Sequence, residues 1–230
     1  MSTRRVRARP GEGNRLREEI LRAAEQLLIE AGTEDALTLR AVARQAGVTT
    51  PSVYLHFADK EALVEAVCLR AWDELGNRMR AAAEGVADPF AALGRRGHAY
   101  VRFALDHPVQ YRILMMRQNG CESTSQASSA CFQYIVDAVA TCVHAGVLRG
   151  TPETLALGLW SAVHGCASLL IAQPAFPWPE DLDAWIYDVI AMAGYGAALS
   201  SRVPRKTRPS SRELTTELDR LKTRFTADRA

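Results

Sequence analysis

No CxxC pair occurs among the five cysteines, Cys68, Cys121, Cys131, Cys142 and Cys166, which are odd in number, scattered and mostly in apolar helical contexts. That pattern argues against a disulfide framework and for reduced, buried thiols in a cytoplasmic protein. An apolar leader is also missing: the basic run at the start passes into a charged amphipathic segment, so secretion is not expected. No uninterrupted apolar span of membrane length is evident, and no membrane partner is expected. Charge of one sign is scarce in excess, since 28 Lys and Arg stand against 26 Asp and Glu, a net +2. A chain so close to neutral is not a generic polyanion binder. Ser161 lacks the G-x-S-x-G setting of a hydrolase elbow, and no acid is convincingly placed beside His144 or His164. Cys142, His144, His164 and Cys166 invite a metal- or thiol-dependent enzyme as an alternative. The two pairs fall on separate expected helices with no compact ligand spacing, so the chain is expected to be no enzyme and to hold no metal or cofactor.

What is present is helical periodicity, over 230 residues, long enough for one small and one larger domain. Residues 1–13 are basic, with Arg4, Arg5, Arg7 and Arg9, and are expected to form a flexible arm that attracts phosphate or simply solubilises the start. From Asn14, the residues Leu16, Ile20, Ala23, Ala24, Leu27 and Leu28 form one helical stripe, which Gly32 ends. That helix is a floor for the most informative stretch, residues 38–67. There Leu39, Val42, Ala43 and Ala46 recur at helical spacing while Arg40, Arg44 and Gln45 face outward. Gly47 can take positive φ and reverse the chain, and Val48 can plug the angle between two helices. Thr49 or Thr50 caps a second helix of about residues 51–56, with Pro51 at its first position. Too short to be stable alone, it must be held by neighbours.

Thr49, Thr50, Ser52, Tyr54 and His56 are compact hydrogen-bonding groups on that short helix, and Val53 and Phe57 can turn inward. Such groups suit phosphate and base-edge contacts in a major groove, so the economical reading is a DNA-reading helix-turn-helix. A polar helical hairpin with ordinary caps is the alternative. Asp59 caps a third helix with Leu63, Val64 and Val67 inward. Lys60, at its start, opposes the helix dipole, a small cost that an external phosphate contact offsets.

Further helices are expected over residues 60–84, 90–106, 109–116, 130–145, 155–172 and 181–199, with 118–129 a loop or a frayed helix start. The first of these is longer than the head requires, and Leu63, Val67, Trp72, Leu75 and Met79 make it a connector to a second core. The last two carry more apolar surface than one domain readily absorbs, which predicts an intersubunit four-helix arrangement; burial within one monomer is the alternative. Between them Pro174, Pro177 and Pro179 stiffen the connection. Residues 201–212 are basic and Pro- and Ser-rich, after which Leu214, Leu218, Leu221 and Phe225 recur at helical spacing, as an accessory helix docked on the core or a frayed tail.

The set Leu39, Val42, Ala43, Ala46, Gly47, Val48, Ser52, Val53, Tyr54, His56, Phe57, Lys60, Glu61 and Leu63 resembles the TetR family of transcriptional regulators. Trp160, His164 and Gly165 in LWSAVHGCASLL, preceded by YVRFALDHPVQYRILM, resemble the WHG-type ligand-binding domain of one branch of that family. The resemblance implies an all-α fold: a three-helix DNA-binding head with a helix-turn-helix at 14–60, a larger helical ligand-binding and dimerisation domain at 61–200, and a basic linker with a possible accessory helix at 201–230. It implies a homodimer that binds a palindromic double-stranded DNA operator, usually as a repressor, and leaves it when a small, largely apolar effector enters the larger domain. An effector-independent regulator or an activator uses the same head and stays open.

By the same resemblance Thr38 and Tyr54 position phosphates, Thr49, Thr50, Pro51 and Ser52 face the groove, and His56 and Lys60 clamp the backbone at its edge. The family commonly has Gly at or near Ser52, so the Thr50-Pro51-Ser52 run leaves the individual base contacts unassigned. On the ligand side, Tyr100, Phe103, Met115, Met116, Phe132, Trp160, His164 and Leu169 are the expected lining of a mostly apolar cavity. The paired methionines would adapt to varied shapes, and His164 needs a hydrogen-bond partner from protein, water or effector.

Overall fold

Helical periodicity becomes ten α-helices and one 3-10 turn in the computed structural model, which describes residues 12–116, 122–200, 202–203 and 209–227. The helices are α1 Glu12–Ala31, α2 Leu39–Gln45, α3 Thr50–Tyr54, α4 Lys60–Ala83, α5 Pro89–Asp106, α6 Pro108–Met116, α7 Glu122–His144, α8 Pro152–Ala172, α9 Leu182–Ser200 and α10 Ser211–Ala227. The 3-10 turn, Glu34–Ala36, sits between α1 and α2. The fold is all-α, with α1 to α3 forming a head and the later helices a larger body. α1 begins two residues inside the stretch expected to be a loose arm, and residues 1–11 lie outside those described. α7 begins at Glu122, so the expected loop resolves as a helix start from there on.

Two left-handed glycines shape the head. Gly32 (φ +69°) ends α1, and Gly47 (φ +66°) turns the chain from α2 into α3, a conformation that a Cβ would strain. Ile20, Leu28, Leu37, Val42, Val53 and Leu63 are fully buried in the core these turns create, and half-buried Val48 packs against it. Each such side chain contributes about 1.5–3 kcal/mol by leaving water. That burial, not helix propensity, holds a five-residue helix in place.

Two helices join head to body. α4 starts in the head core with Leu63, Val64 and Val67 and ends in the second core with Ala71, Leu75 and Met79. α6 contributes Val109 and Ile113 to the head core and Tyr111 to the body. Polar ties reinforce the junction: Arg112 donates to the Gly32 carbonyl at 2.8 Å, and Arg70 pairs with Glu18 at 2.9 Å and Glu25 at 3.2 Å.

In the body, α8 packs against α5, α7 and α9. By length and composition α8 could cross a membrane, contrary to the expectation from sequence, because Gly158, His164 and Gly165 dilute its hydropathy too little. Its packed face explains the apolarity on one side, while its other side and α9 leave Leu157, Leu169, Met192 and Tyr195 exposed. α10 is helical, and its residues 211–220 are exposed, so that part of it does not dock on the core.

Candidate functional site

Two places in this fold gather the residues singled out by sequence. The first is the outer surface of α2 and α3. Thr38 caps α2, its hydroxyl accepting from the Ala41 N–H at 3.1 Å. Thr49, not Thr50, caps α3; its hydroxyl accepts from the Ser52 N–H at 3.3 Å and shares a 2.8 Å hydrogen bond with the Ser52 hydroxyl. Asp59 caps α4 by accepting from the Ala62 N–H at 2.8 Å. Thr49, Pro51 and Tyr54 are exposed, Thr50, His56 and Lys60 are half-buried, and Arg40 and Arg44 flank them in solvent.

Ser52 is the exception. It is only 6% exposed and turns its hydroxyl back to Thr49, so the expectation that it faces a groove does not hold in this geometry. The reason is helical phase: Ser52 and Val53 share the side that Phe57 closes, and Ser52 is the one polar member of that buried face. Sequence reasoning also passed over Leu55, 83% exposed at the end of α3. An isolated apolar side chain there can meet a thymine methyl.

The second place is a cavity of about 330 Å³ between α5, α7, α8 and α9, floored by Met79 of α4. Of the eight expected lining residues, Tyr100 and Trp160 line it. Phe103 does not: it is buried in the second core beneath the Arg78 guanidinium, 5.8 Å from its ring centroid. Leu169 lies on the uncovered side of α8, 56% exposed. Phe132 packs on Trp160 from outside, ring centroids 6.0 Å apart, and Met115 meets the Tyr100 hydroxyl, its sulfur at 3.8 Å. The Met116 side chain lies outside the described residues.

His164 is also not in the cavity wall. Its Nδ1 lies 2.6 Å from the Tyr111 hydroxyl and 3.3 Å from that of Tyr100, and its Nε2 lies 3.4 Å from Ser168 Oγ. Burial lowers its pKa, so the ring is neutral and one nitrogen accepts. An indole can only donate. Trp160 donates to the Tyr100 oxygen at 3.1 Å, the Tyr100 and Tyr111 hydroxyls share a 3.2 Å hydrogen bond, and the Tyr111 and Ser168 hydroxyls bond the two ring nitrogens of His164. The partner His164 required is protein. Burial raises the pKa of both tyrosine hydroxyls, that of Tyr100 well above its ordinary range, which keeps each protonated.

Most of the missed lining residues belong to α5 and α9, among them Phe90, Leu93, Arg96, Tyr187, Ile190 and Tyr195, with Ile135 of α7 and Leu159 and Val163 of α8 beside them. The signal in α5 and α9 was the glycines. At Gly97 a Cβ would stand 3.3 Å from Ile190 Cγ2, and at Gly194 3.1 Å from Phe90 Cζ. Gly97 and Gly194 thus let two helices approach along the cavity's side, and the residues one turn away become its walls.

Cys142 and Cys166 do not come together with His144 and His164. Cys142 donates its thiol to the Pro89 carbonyl, while burial pushes it up to about 11 and raises Cys166 as well, away from the thiolate that metal binding needs. His144 is exposed at the end of α7. Among the described residues no group of three His, Cys, Asp or Glu is placed to hold a metal ion.

Comparison with known proteins decides the family. Residues 20–67 match the bacterial regulatory proteins of the tetR family, and residues 93–193 match the tetracyclin repressor-like C-terminal domain. An uncharacterized HTH-type transcriptional regulator of Mycobacterium tuberculosis, Rv0681, is 30% identical over 189 residues, 82% of this chain and 84% of the relative. The chain belongs to the TetR family. It is an all-helical DNA-binding regulator with a helix-turn-helix. Among solved structures, a protein of unknown function from Rhodococcus sp. RHA1 superposes with a TM-score of 0.68 at 26% identity, covering 80% of this chain and 94% of that one. A transcriptional regulator of the TetR/AcrR family from Thermobifida fusca YX-ER1 shares the fold, with a TM-score of 0.62 at 20% identity over 78% of this chain and 97% of that one.

Proposed function

We propose that this TetR-family regulator is a ligand-responsive repressor: a homodimer holds a palindromic operator and releases it when a small, largely apolar molecule enters the cavity between α5 and α9. One observation carries the reading. α4 is a single helix with Leu63, Val64 and Val67 in the head core and Met79 in the cavity wall, so a shift of α4 that fills or empties the cavity also moves the base on which α3 rests. A ligand that prefers one α4 position then changes DNA affinity by its differential affinity for the two positions.

On the head, Thr49, Thr50 and Pro51 face the groove, Thr38 and Tyr54 position phosphates, and His56 and Lys60 hold the backbone at its edge. Ser52 acts from behind by fixing Thr49. The head extends over residues 14–60, the cavity-bearing and dimerising region over 61–200, and a basic linker with α10 over 201–230. The exposed apolar side chains of α8 and α9 supply the surface for a four-helix contact with a second copy. Trp160 and His164, joined through Tyr100, support assignment of the larger region to the WHG-type branch. No catalytic role is assigned, and the cytoplasm is the compartment in which such a regulator meets its operator.

Selection of bound duplexes from a fragmented genomic library tests the reading. Expected are recovered sites with two half-sites about one helical turn apart, bound by a dimer and losing affinity steeply as salt rises. Recovery of no preferred duplex at low salt would sink it. Recovered sites that no metabolite pool releases would leave a DNA-binding regulator without an effector.

A further inference from the structure

The chemistry of the cavity wall narrows what can occupy it. Most of the lining is apolar, and the charged members are Arg95 and Arg96, with no Asp or Glu among the lining residues. Arg96 is held in place: its Nε donates to the Tyr134 hydroxyl at 2.8 Å and its guanidinium lies 5.4 Å from the centre of the Tyr134 ring. Arg80 covers the same ring at 5.6 Å, so a third cation stands close by. Among the described residues none of these three arginines is ion-paired; Arg80 donates to the Asn77 amide oxygen. A half-buried guanidinium without a carboxylate, fixed by one N–H and with its other donors free of an acid partner, is a preorganised anion site.

We propose that the cavity takes an amphipathic organic anion, with its acidic head, a carboxylate or sulfonate, on Arg96 and its apolar body against Phe90, Leu93, Leu159, Val163 and Ile190. The inference rests on the reading of this cavity as the effector site and names the class of effector. Size is consistent, since about 330 Å³ lies at the lower end of small-molecule pockets and excludes large conjugates from full enclosure. Arg95, exposed at the mouth, steers the anion inward.

A matched pair of fluorescent probes tests this. 8-Anilinonaphthalene-1-sulfonate and N-phenyl-1-naphthylamine share one ring system and differ by the sulfonate. Titrated into the full chain, the sulfonate should bind saturably and more tightly than its neutral counterpart. Arg96→Gln should weaken the sulfonate about tenfold or more and the neutral probe less than about twofold, the loss expected for one charge-assisted hydrogen bond. Arg96→Lys, which keeps the charge, should recover most of the affinity, and Arg95→Gln should weaken binding less than Arg96→Gln does. Ala91→Trp, an exposed position at the mouth, should block both probes.

Equal sulfonate affinity in Arg96→Gln and the unaltered chain, no saturable sulfonate binding at all, or binding that Ala91→Trp leaves intact each overturns the proposal. Should Arg96→Gln fail to fold, Arg95→Gln together with the preference between the two probes carries the test. Operator titrations separate this inference from the function it rests on. Arg96-dependent sulfonate binding that leaves operator affinity unchanged upholds the anion site and defeats effector control; release of operator by the neutral probe alone upholds effector control and defeats the anion site.

Discussion

α3 and the cavity are held by opposite arrangements. α3 is five residues whose outward side chains are separable from their support: Tyr54 projects into solvent while Val53 and Phe57, on the other side, are buried. In the body, the lining is the support. Tyr100 and Val163 line the cavity and belong to the second core, and Trp160 packs against it while donating to Tyr100. A surface that must meet an external groove can be altered without unfolding what lies behind it. A wall shared with the core cannot. Substitutions in the head are therefore expected to separate affinity from stability, and those in the body to couple them.

The sharpest way to break this contrast is Phe103→Ala beside Tyr54→Ala. Phe103 is buried in the second core behind the cavity, and its truncation should cost about 3–5 kcal/mol in urea unfolding. Tyr54→Ala should change stability by less than about 0.5 kcal/mol, because the ring is 56% exposed. Yet it should abolish operator binding, read by fluorescence anisotropy, while sedimentation still finds the same oligomer. A stable Phe103→Ala protein, or a Tyr54→Ala protein with unchanged affinity, would remove the distinction.

Tyr111→Phe probes the body's polar interior at the next scale. It deletes the 2.6 Å partner of His164 Nδ1 and the 3.2 Å partner of Tyr100, leaving only the longer 3.3 Å contact between those two, and should cost about 1–3 kcal/mol of unfolding free energy. Because Tyr111 sits on the body side of α6, whose Val109 and Ile113 lie in the head core, operator affinity should also fall. Thr49→Ala is the head's smaller counterpart. Loss of the cap and of the bond to Ser52 should cost about 1 kcal/mol by thermal unfolding, with a larger proportional loss in operator affinity.

The head was legible in the sequence because each of its rules is local. Glycines at 32 and 47, a threonine before Pro51 and apolar spacing over 39–46 act within one or two turns, so caps and reversals follow from neighbours in the chain. Ser52 escaped because a small hydroxyl is compatible with either side of a helix, and only the 2.8 Å contact with Thr49 fixes which. The cavity was legible in two residues and misread elsewhere. Apolar residues such as Phe103, Phe132 and Leu169 have the same sequence character whether they fill a core, back a neighbour or face outward. Gly97 and Gly194 mark where a close approach is possible, but the pairing of α5 with α9, Gly97 against Ile190 and Gly194 against Phe90, is a long-range fact that the local sequence does not specify.

Acid dependence gives the mildest test of the body, where three histidines resist protonation in the folded state. Burial lowers the pKa of His98, His107 and His164 below the usual histidine value of 6.5. Asp183 pulls His98 upward but does not overcome its burial, and Arg78, whose guanidinium nitrogen lies 2.9 Å from His107 Nε2, adds to the lowering there. As pH falls through 6.5 the unfolded chain takes up protons that the native body refuses, so stability is full above that value and declines below it. Urea unfolding at pH 7.5 and 5.5 should therefore show a lower midpoint in acid, and His164→Gln should shrink that difference. A midpoint that rises on acidification would mean that the imidazoles are charged in the native state, with His164 donating from both ring nitrogens.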